Sequence, residues 1–315
     1  MSAPREAVDR ADDILGRAAG DRVRRDYPLA PLTTFRIGGP AALYLEAAGD
    51  GDLAAAGHAA GESGLPTLLI GKGSNVLVGD GGFPGIVIRL GRAYRWAARE
   101  GDDLVAGGAM PLPALSGVAL AERLAGLEFG VAIPASLGGA VKMNAGAHGR
   151  SVSEVLAAVE LFGLDDGTRR FIPAAEAGFA YRTSRLPESA VVVGARVRLA
   201  PGEAGAIRAL MDEARRWRRD TQPLGEPNCG SVFKNPERDH AARLVEAAGG
   251  KGLRVGGAAV STKHANFIVA GDGARAADVV HLIRSLQERV RERFGVELEP
   301  EVRFVGDFED RPEAA

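Results

Sequence analysis

Small residues are concentrated in Gly130-Val131-Ala132-Ile133-Pro134-Ala135-Ser136-Leu137-Gly138-Gly139-Ala140, followed by Met143-Asn144-Ala145-Gly146-Ala147-His148-Gly149. So many small side chains allow the backbone to lie flat against a large planar ligand, whose rim can be met by main-chain amides, Ser136 or Asn144. The alternative is close packing of the backbone between a sheet and a helix, which small residues also permit. This stretch alone leaves both interpretations open.

A second glycine-rich segment, Gly71-Lys72-Gly73-Ser74-Asn75, follows the apolar run Leu68-Leu69-Ile70. A sharp turn at the end of a buried strand can present several N–H groups to an anion, and a diphosphate fits there. The segment begins like a dinucleotide fingerprint, but Val76 stands at the third glycine position and no helical pattern follows. We therefore expect an anion-binding turn outside a Rossmann unit, with close backbone packing again as the alternative.

A third segment, Asn228-Cys229-Gly230-Ser231-Val232-Phe233-Lys234-Asn235-Pro236, suits neither a helix nor a strand, because its glycine and proline mark it as a loop. The Ser231 hydroxyl can give a proton, the Lys234 ammonium can meet a phosphate, and the Asn235 amide can donate and accept hydrogen bonds. This mixture is typical of a site. A well-capped surface turn would use the same residue types.

Composition indicates a globular protein of 315 residues, 46% hydrophobic and 25% charged, long enough for two or three domains. A formal net charge of -2 gives no global attraction to nucleic acid or to an anionic membrane, and we expect neither as a partner. No signal-peptide core and no run of about eighteen apolar residues occurs, so we expect a cytoplasmic protein. The single cysteine, Cys229, excludes an internal disulfide and a cysteine-rich metal site; we expect a packed thiol and no bound metal.

Lysine is rare in this chain, because only five of the 39 Lys and Arg residues are lysines. Lys72, Lys142 and Lys234 nevertheless stand in glycine-rich or turn-rich segments, where a compact ammonium differs from a planar guanidinium. This distribution is a weak indication of a function for the three ammonium groups. For Lys142, a solvated side chain is the simple alternative.

Hydrophobic periodicity predicts short strands that alternate with helices after a charged N-terminal helix. The predicted helices are Gly51–Ser63, Leu112–Leu124, Glu203–Arg219, Asp239–Ala248 and Ala276–Phe294. The predicted strands are Ala41–Ala47, Leu65–Ile70, Gly85–Leu90, Tyr94–Arg99, Asp103–Gly107 and His264–Ala270, and the section from Ser153 to Pro201 is also strand-rich. The first strand, helix and second strand predict a βαβ opening, and the last helix carries one apolar stripe.

Seven motifs occur in the order that is typical of the UDP-N-acetylenolpyruvoylglucosamine reductase family, which the chain resembles over residues 28–306. The motifs are Leu32–Ala41, Gly71–Asn75, Ile133–Gly149, Tyr181–Ser184, Gly230–Pro236, His264–Phe267 and Glu299–Phe304. The resemblance implies an α+β protein, with an FAD-binding fold of the vanillyl-alcohol oxidase and p-cresol methylhydroxylase type followed by an α/β substrate-binding domain. The expected divisions are an N-terminal helical extension (1–25), an FAD-binding region (26–225, two subdomains meeting near 90), a substrate domain (226–306) whose last strand returns to the flavin site, and an acidic tail (307–315).

The resemblance also implies a reaction. NADPH, as co-substrate, reduces non-covalently bound FAD and leaves; the enolpyruvyl nucleotide sugar then receives a hydride at C3 and a proton from the protein at C2. The charge that develops between these steps spreads from C2 into the neighbouring carboxylate, so it needs cations and hydrogen bonds fixed in advance. Only residues 185–190 separate Ser184 from the next strand, which is too short for the inserted tyrosine loop of one branch of the family. We expect a loopless, monomeric enzyme.

The site residues follow from the motifs that match the family. Ser231 is the expected proton donor to C2, while Arg182 and Glu301 hold the carboxylate and stabilise the intermediate. The expected FAD-binding residues are Arg36, Gly71, Lys72, Gly73, Ser74, Asn75, Ile133, Pro134, Ser136, Gly138, Gly139, Asn144 and Gly146. The expected substrate-binding residues are Tyr181, Lys234, Asn235 and Arg219, of which Lys234 and Asn235 hold the diphosphate.

Three alternatives remain at this stage: another flavin oxidase or dehydrogenase of the same fold, a non-catalytic flavin-binding redox sensor, and a nucleotide-sugar binding protein without flavin. Glu301 is the residue for which the pattern and the resemblance disagree. In the segment from Val296 to Phe304, apolar residues alternate with Glu297, Glu299, Glu301 and Arg303. Period two alone predicts an exposed Glu301, whereas a catalytic role requires that flavin or substrate cover it.

Overall fold

A computed structural model of the chain describes residues 3–309, so the predicted acidic tail lies outside the described residues from position 310 onward. The helices in this range are α1 (Arg5–Ala19), α2 (Asp50–Ser63), α3 (Leu112–Ala121), α4 (Leu137–Lys142), α5 (Ala204–Thr221), α6 (Ala241–Ala247) and α7 (Ala276–Phe294). None of these helices is both long enough and apolar enough to cross a bilayer.

The strands are short and numerous. They are β1 (Val23–Pro28), β2 (Pro40–Ala47), β3 (Thr67–Leu69), β4 (Val76–Val78), β5 (Phe83–Leu90), β6 (Ala97–Glu100), β7 (Asp103–Gly107), β8 (Leu124–Ala125), β9 (Gly146–Ala147), β10 (Arg150–Ser151), β11 (Leu156–Gly163), β12 (Arg169–Pro173), β13 (Ala190–Arg198), β14 (Ala200–Pro201), β15 (Arg254–Val255), β16 (Ala258–Val260), β17 (Ile268–Ala270) and β18 (Arg303–Val305).

The first sheet has four strands in the order β1-β2-β5-β3. Strands β2 and β3 both pair parallel with β5, so the predicted βαβ opening is present but a later strand lies between its two strands. Helices α1 and α2 pack together on this sheet. Helix α1 buries Ala11, Leu15 and Ala19, which are four residues apart and so lie on one face of the helix.

The second sheet has five antiparallel strands in the order β12-β11-β13-β7-β6, which accounts for the predicted strand-rich section. Helices α3 and α4 lie against it and share its apolar core, in which Leu104, Leu115, Leu137 and Val159 are fully buried. The sheet therefore supports the small-residue stretch that precedes and forms α4.

The C-terminal unit is a small antiparallel sheet, β15-β16-β17, covered by α6 and α7. The predicted stripe of α7 is confirmed, because Val279, Ile283, Leu286 and Val290 are buried. After α7 the chain returns to the N-terminal part, where β18 pairs parallel with β4. This pairing brings the end of the chain beside the glycine-rich turn that precedes β4.

Two predicted elements begin or end differently because the chain turns into tertiary contacts. The strand predicted over Tyr94–Arg99 begins only at Ala97, since Tyr94 lies in a 3₁₀ turn and its hydroxyl donates to Asp50 Oδ1 at 2.9 Å. The helix predicted over Leu112–Leu124 ends at Ala121, because Arg123 has a φ of 54°, in the left-handed region that ends a helix.

Two further differences lie in the C-terminal unit, and the remaining predicted elements differ from the observed ones by at most two residues at either end. The strand predicted over His264–Ala270 starts at Ile268, because residues 264–267 form a turn in which Phe267 N donates to His264 O at 3.0 Å. The alternating segment from Val296 to Phe304 contributes only β18, and the residues before it follow the Ser231 loop instead of a sheet. The alternation of buried and exposed residues holds along this segment, with Leu298 and Val302 buried and Glu299 and Arg303 exposed, but Glu301 departs from it.

Candidate active site

The two glycine-rich segments meet. A Cβ atom placed on Gly71 would lie 2.3 Å from Ser136 Oγ, so the turn after β3 comes close to the start of α4, and a side chain at Gly71 would displace the Ser136 hydroxyl. Ser136 is also the N-cap of α4, and its Oγ accepts a hydrogen bond from Gly139 N at 3.4 Å. The strand-end turn and the beginning of α4 thus form one continuous backbone surface.

The turn at residues 71–75 has the features of an anion site. Within residues 3–309, no protein acceptor takes a backbone N–H from these five residues. Gly73 has a φ of +59°, and a Cβ there would lie 2.2 Å from Leu32 O, so glycine is required for both conformation and space. The Lys72 side chain is exposed beside the turn. Free N–H groups with an adjacent ammonium suit a diphosphate.

Different residues of the small-residue stretch agree with the two interpretations left open by the sequence, close packing on a sheet and a surface for a planar ligand. Gly138 is close-packed, because a Cβ there would lie 2.9 Å from Val192 O of the second sheet. Gly139 is exposed and has only Ser136 Oγ, at 3.4 Å, within 4 Å of its Cβ position. Pro134 is also exposed, whereas Ile133 is buried. Sheet packing therefore requires Gly138, and Gly139 leaves an open backbone surface against which a planar ligand fits.

Asn144 is held in place by its own amide group. Its Nδ2 donates to Ala180 O at 2.9 Å, and its Oδ1 accepts from Ser153 N at 3.0 Å. The side chain is buried, and the backbone is left-handed with a φ of 41°. Asn144 thus fixes the backbone next to Tyr181 and Arg182, in addition to any contact with a cofactor.

The Arg182 guanidinium joins three segments of the chain. Its Nε donates to Glu301 Oε1 at 3.0 Å, and its Nη2 donates to Gly146 O at 3.1 Å. A Cβ on Gly146 would lie 2.9 Å from Arg182 Nη1, so glycine at this position makes room for the guanidinium. The Tyr181 ring lies 4.8 Å from the centre of the guanidinium and covers one side of it. Arg182 itself has a φ of 57°, which is unusual for a residue with a side chain.

Glu301 is not the exposed residue that period two predicts. Its side chain is 17% exposed and pairs with Arg182. Burial raises the pKa of the Glu301 carboxyl, and the positive charges of Arg182 and Lys234 offset only part of that rise. The main chain is held by the glycine-rich turn, since Asn75 Nδ2 donates to Glu301 O at 3.0 Å.

The Ser231 loop lies against the same segment. Glu301 N donates to Val232 O at 2.7 Å, one residue after Ser231. The buried Asn266 amide holds the loop from the other side: its Oδ1 accepts from Phe233 N at 2.9 Å and its Nδ2 donates to Phe233 O at 2.8 Å. The Ser231 hydroxyl is thus mounted on a backbone that is tied to both Glu301 and the C-terminal sheet.

Cys229 is a packed thiol, as predicted. It is 2% exposed in the apolar core of the C-terminal unit, and burial raises the pKa of its thiol above the ordinary range. A thiol held neutral in this way is a poor nucleophile.

The residues expected to bind the substrate are less tightly grouped. Lys234 Nζ forms an ion pair with Glu299, and its backbone N donates to Glu299 O at 2.9 Å. Asn235 is exposed, and its Oδ1 accepts from Ala241 N at 3.1 Å, at the beginning of α6. Arg219 lies in the last turn of α5, where its backbone carbonyl accepts from Lys263 Nζ at 2.5 Å. Among the described residues, no hydrogen bond or ion pair joins the Arg219 side chain to the Arg182–Glu301 pair.

Arg36 is an exposed residue in the loop next to the glycine-rich turn at residues 71–75. Its backbone is left-handed with a φ of 58°, and its N–H donates to Thr33 Oγ1 at 3.1 Å. The neighbouring Thr34 N donates to Gly73 O at 3.1 Å, so the loop that carries Arg36 is tied directly to the anion-binding turn.

Three residues near the site were given no specific contact from the sequence. Asn266 lies in the His264–Phe267 motif, and an amide between Ala265 and Phe267 is a signal that could have revealed its structural role. Lys142 stood out by its position in a glycine-rich segment and Glu299 lies in the last motif, but the contacts of both depend on other segments of the chain.

Comparison with known proteins agrees with this arrangement. A family model described as UDP-N-acetylenolpyruvoylglucosamine reductase, C-terminal domain, matches residues 222–305, and one described as FAD binding domain matches residues 41–171. The UDP-N-acetylenolpyruvoylglucosamine reductase of Anaeromyxobacter dehalogenans (strain 2CP-C) is 47% identical over 298 residues, which cover 94% of this chain and 89% of that protein. The chain belongs to the UDP-N-acetylenolpyruvoylglucosamine reductase family.

Other members of the reductase family support the assignment over the full fold. The protein of the same name from Anaeromyxobacter sp. (strain Fw109-5) is 46% identical over 308 residues, covering 98% of this chain and 96% of that one. The crystal structure of the reductase from Thermus caldophilus is similar with a TM-score of 0.79 and 37% identity, covering 90% of this chain and 99% of that chain. The predicted α+β fold with an FAD-binding region is confirmed, and the reductase is an FAD-dependent oxidoreductase.

Proposed function

We propose that Arg182, Ser231 and Glu301 carry out the protonation step of the family reaction. That reaction is the NADPH-dependent reduction of the enolpyruvyl group of UDP-N-acetylenolpyruvoylglucosamine to UDP-N-acetylmuramate, a step in the synthesis of peptidoglycan precursors. The observation that carries the proposal is that Arg182, Glu301 and the Ser231 loop meet beside the glycine-rich turn at residues 71–75. A single surface can then present a cation, a carboxyl group and a hydroxyl to one substrate.

The residues present fit FAD. The free N–H groups of residues 71–75 and the Lys72 ammonium would hold the diphosphate, and the backbone at Gly139 would lie against the ring system. When bound, FAD supplies the hydride chemistry, accepting a hydride from NADPH and passing it to C3 of the enolpyruvyl group. Ser136 and Gly138 would support this surface from below through the cap and the packing of α4.

The chain's own groups then complete the reduction. Ser231 donates a proton to C2, and Arg182 holds the substrate carboxylate while charge spreads into it. Because burial raises the pKa of Glu301, a larger fraction of this carboxyl is protonated and able to donate a hydrogen bond to the developing negative charge. A second negative charge from the substrate would increase that fraction further.

Lys234 would bind the substrate diphosphate. Its ammonium is paired with Glu299, so binding exchanges one anionic partner for another, and the released Glu299 carboxylate, which is 53% exposed, is hydrated by solvent. Asn235, Tyr181 and Arg219 would contribute further contacts to the nucleotide sugar. Both reactants are highly charged metabolites, which supports a cytoplasmic enzyme; a monomer without a nucleic-acid or membrane partner stays a prediction.

A spectroscopic experiment tests the function. Purified holoenzyme under anaerobic conditions should be yellow, should bleach on addition of NADPH, and should regain its colour on addition of UDP-N-acetylenolpyruvoylglucosamine. Recolouring with oxygen but not with the enolpyruvyl nucleotide would contradict the proposal and indicate a flavin oxidase. UDP-N-acetylglucosamine, a nucleotide sugar that lacks the enolpyruvyl group and is not the product, provides a matched control that should leave the reduced flavin colourless.

A further inference from the structure

Lys142 is not the solvated lysine that the sequence allowed. It is the last residue of α4, and its Nζ donates to two backbone carbonyls, Leu186 O at 2.7 Å and Pro187 O at 2.8 Å. Its own carbonyl accepts a hydrogen bond from Ser184 Oγ at 2.7 Å. One residue therefore binds the segment 184–187 through both its side chain and its main chain.

The surroundings of this ammonium are costly for a positive charge. Burial lowers the pKa of Lys142, the guanidinium of Arg303 on β18 lowers it further, and Glu188 in the adjacent loop offsets part of the effect. Each carbonyl that accepts from Nζ compensates for part of the lost hydration. A half-buried lysine that donates to two carbonyls restrains the segment it binds, in contrast to the exposed ion pair of Lys251 with Glu246.

The segment that Lys142 binds is connected to Arg182 through a very short stretch of chain. Ala180 and Thr183 exchange backbone hydrogen bonds at 3.1 and 3.2 Å, which places Arg182 in a tight turn. Asn144 holds the beginning of this turn at Ala180 O, and Lys142 holds the chain just after it. Residues at the end of α4 therefore hold the turn on both sides through hydrogen bonds. The beginning of the same helix forms the surface proposed for the flavin.

We propose that Lys142 is a positioning residue for the reduction of the substrate. By holding residues 184–187, it keeps the Arg182 guanidinium within hydrogen-bond distance of Glu301. This inference rests on the proposed function of Arg182. The left-handed backbone of Arg182 makes the restraint necessary, since a turn with an unfavourable φ would relax if one side were released. Only residues 185–190 connect Ser184 to β13, so pinning this short connection also fixes where Arg182 lies.

The experiment separates the two half-reactions in the holoenzyme. Lys142→Met should retain FAD and be reduced by NADPH at the wild-type rate, while reoxidation by the enolpyruvyl nucleotide should slow by about 10-fold, since a shift of the positioned group by well under 1 Å costs less than the roughly 10²-fold of a full 1 Å misplacement. The loss should appear in kcat more than in KM. Ser184→Ala should show a smaller loss of the same kind, and Lys251→Met is the matched control that should behave as wild type.

A conservative variant, Lys142→Arg, gives a second measurement, the pH dependence of the reoxidation rate, which would not change if Lys142 had only a general structural role. Lys142→Arg should recover most of the reoxidation rate, because a guanidinium can also donate to two carbonyls. As pH rises, deprotonation of Lys142 weakens its hydrogen bonds to the two carbonyls, so the wild-type reoxidation rate should fall at a pH where Lys142→Arg keeps its rate. Arg303 and Glu188, the charged groups that face Lys142, are unchanged in this comparison.

The outcomes that overturn the inference are distinct from those that overturn the proposed function. Wild-type reoxidation in Lys142→Met, or an equal loss in both half-reactions, would remove the positioning role. If Lys142→Met does not fold, two other results together would remove the positioning role: a wild-type reoxidation rate in Ser184→Ala, and the same pH dependence of reoxidation in Lys142→Arg as in wild type. Arg182→Lys is measured in parallel: if it leaves reoxidation unaffected, the proposed role of Arg182 fails as well.

Discussion

Arg182 Nε donates a hydrogen bond to Glu301 Oε1 at 3.0 Å, between residues 119 positions apart in the chain. Both side chains are partly buried, at 20% and 17% exposure, so neither charge is strongly hydrated. The pair connects a turn of the second sheet to the segment that returns from the C-terminal unit. It therefore exists only when both parts of the protein are folded and correctly placed, which is suitable for a site where cofactor and substrate meet.

Ser231→Ala tests the proton donor. The reductive half-reaction with NADPH should stay close to wild type, while reoxidation by the enolpyruvyl nucleotide should slow by about 10²-fold or more, because general acid catalysis contributes on this scale. Rapid-mixing absorbance of the flavin measures both rates, with Ser285→Ala on α7 as a control. An equal loss in both half-reactions would mean that Ser231 supports the fold or the flavin instead.

Gly139→Val tests the flavin surface. Its Cβ would meet no protein atom closer than 3.4 Å, so loss of FAD on purification would come from a clash with the cofactor. Gly73→Val should also lose FAD, but the side chain there would collide with Leu32 as well. Gly61→Val, in helix α2 with nothing within 4 Å of its Cβ, is the control, and FAD content follows from the protein-to-flavin absorbance ratio. Full occupancy in Gly139→Val would exclude this surface from the cofactor site.

Lys234→Ala separates binding from chemistry. If the ammonium meets the diphosphate equally in the ground and transition states, KM for the nucleotide should rise and kcat should scarcely change. Arginine should rescue only part of the loss, because a planar guanidinium cannot replace a point charge. Steady-state kinetics at two ionic strengths measure the effect, which should weaken modestly as salt rises.

The partner of Lys234 supplies the control for that measurement. Glu299→Gln removes the competing carboxylate, so KM should fall or stay constant while it rises in Lys234→Ala. A collapsed kcat with an unchanged KM in Lys234→Ala would place this lysine among the catalytic groups.

Glu301→Gln should separate stability from activity. Because burial raises the pKa of Glu301, the folded protein binds this proton more tightly than the unfolded chain does, and the carboxyl contributes stability below its unfolded pKa that is lost as pH rises through the folded pKa. The variant lacks this titrating group and therefore its pH-dependent contribution to stability. Wild type should lose thermal stability relative to Glu301→Gln as pH rises from acid to neutral. Reoxidation should nevertheless be slower in the variant. A Tm difference that is constant with pH would contradict the raised pKa.

Asp80→Ala tests the attachment of the C-terminal unit. The Asp80 carboxylate accepts from Ala276 N at 2.9 Å and from Ala277 N at 3.0 Å, so it caps α7 from a distant part of the chain. Its loss should cost about 1 kcal/mol of stability, the usual effect of removing a cap. Thermal denaturation of the holoenzyme measures it against the control Asp272→Ala. A Tm equal to that of the control would show that the cap contributes nothing.

Several elements could be predicted from the sequence because they depend on local patterns. Helix α7 has the predicted bounds, since its apolar residues recur every three or four positions and Gly295 follows its last turn. Strand β7 also has the predicted bounds. The family, the fold class and the cofactor followed from ordered motifs, because glycines with special backbone conformations and the groups beside them leave a recognisable pattern.

The sequence by itself therefore determined which elements form and which residue types are available for chemistry, because periodicity, turn residues and motifs are local properties. Only the tertiary structure decided that Glu301 is buried beside Arg182, that β5 lies between β2 and β3, and that Lys142 binds two carbonyls. The physical reason is that burial, pKa and strand order depend on which distant segments pack together. An alternating pattern can show that Glu301 and Val302 point in opposite directions, but it cannot show that a second part of the protein covers both.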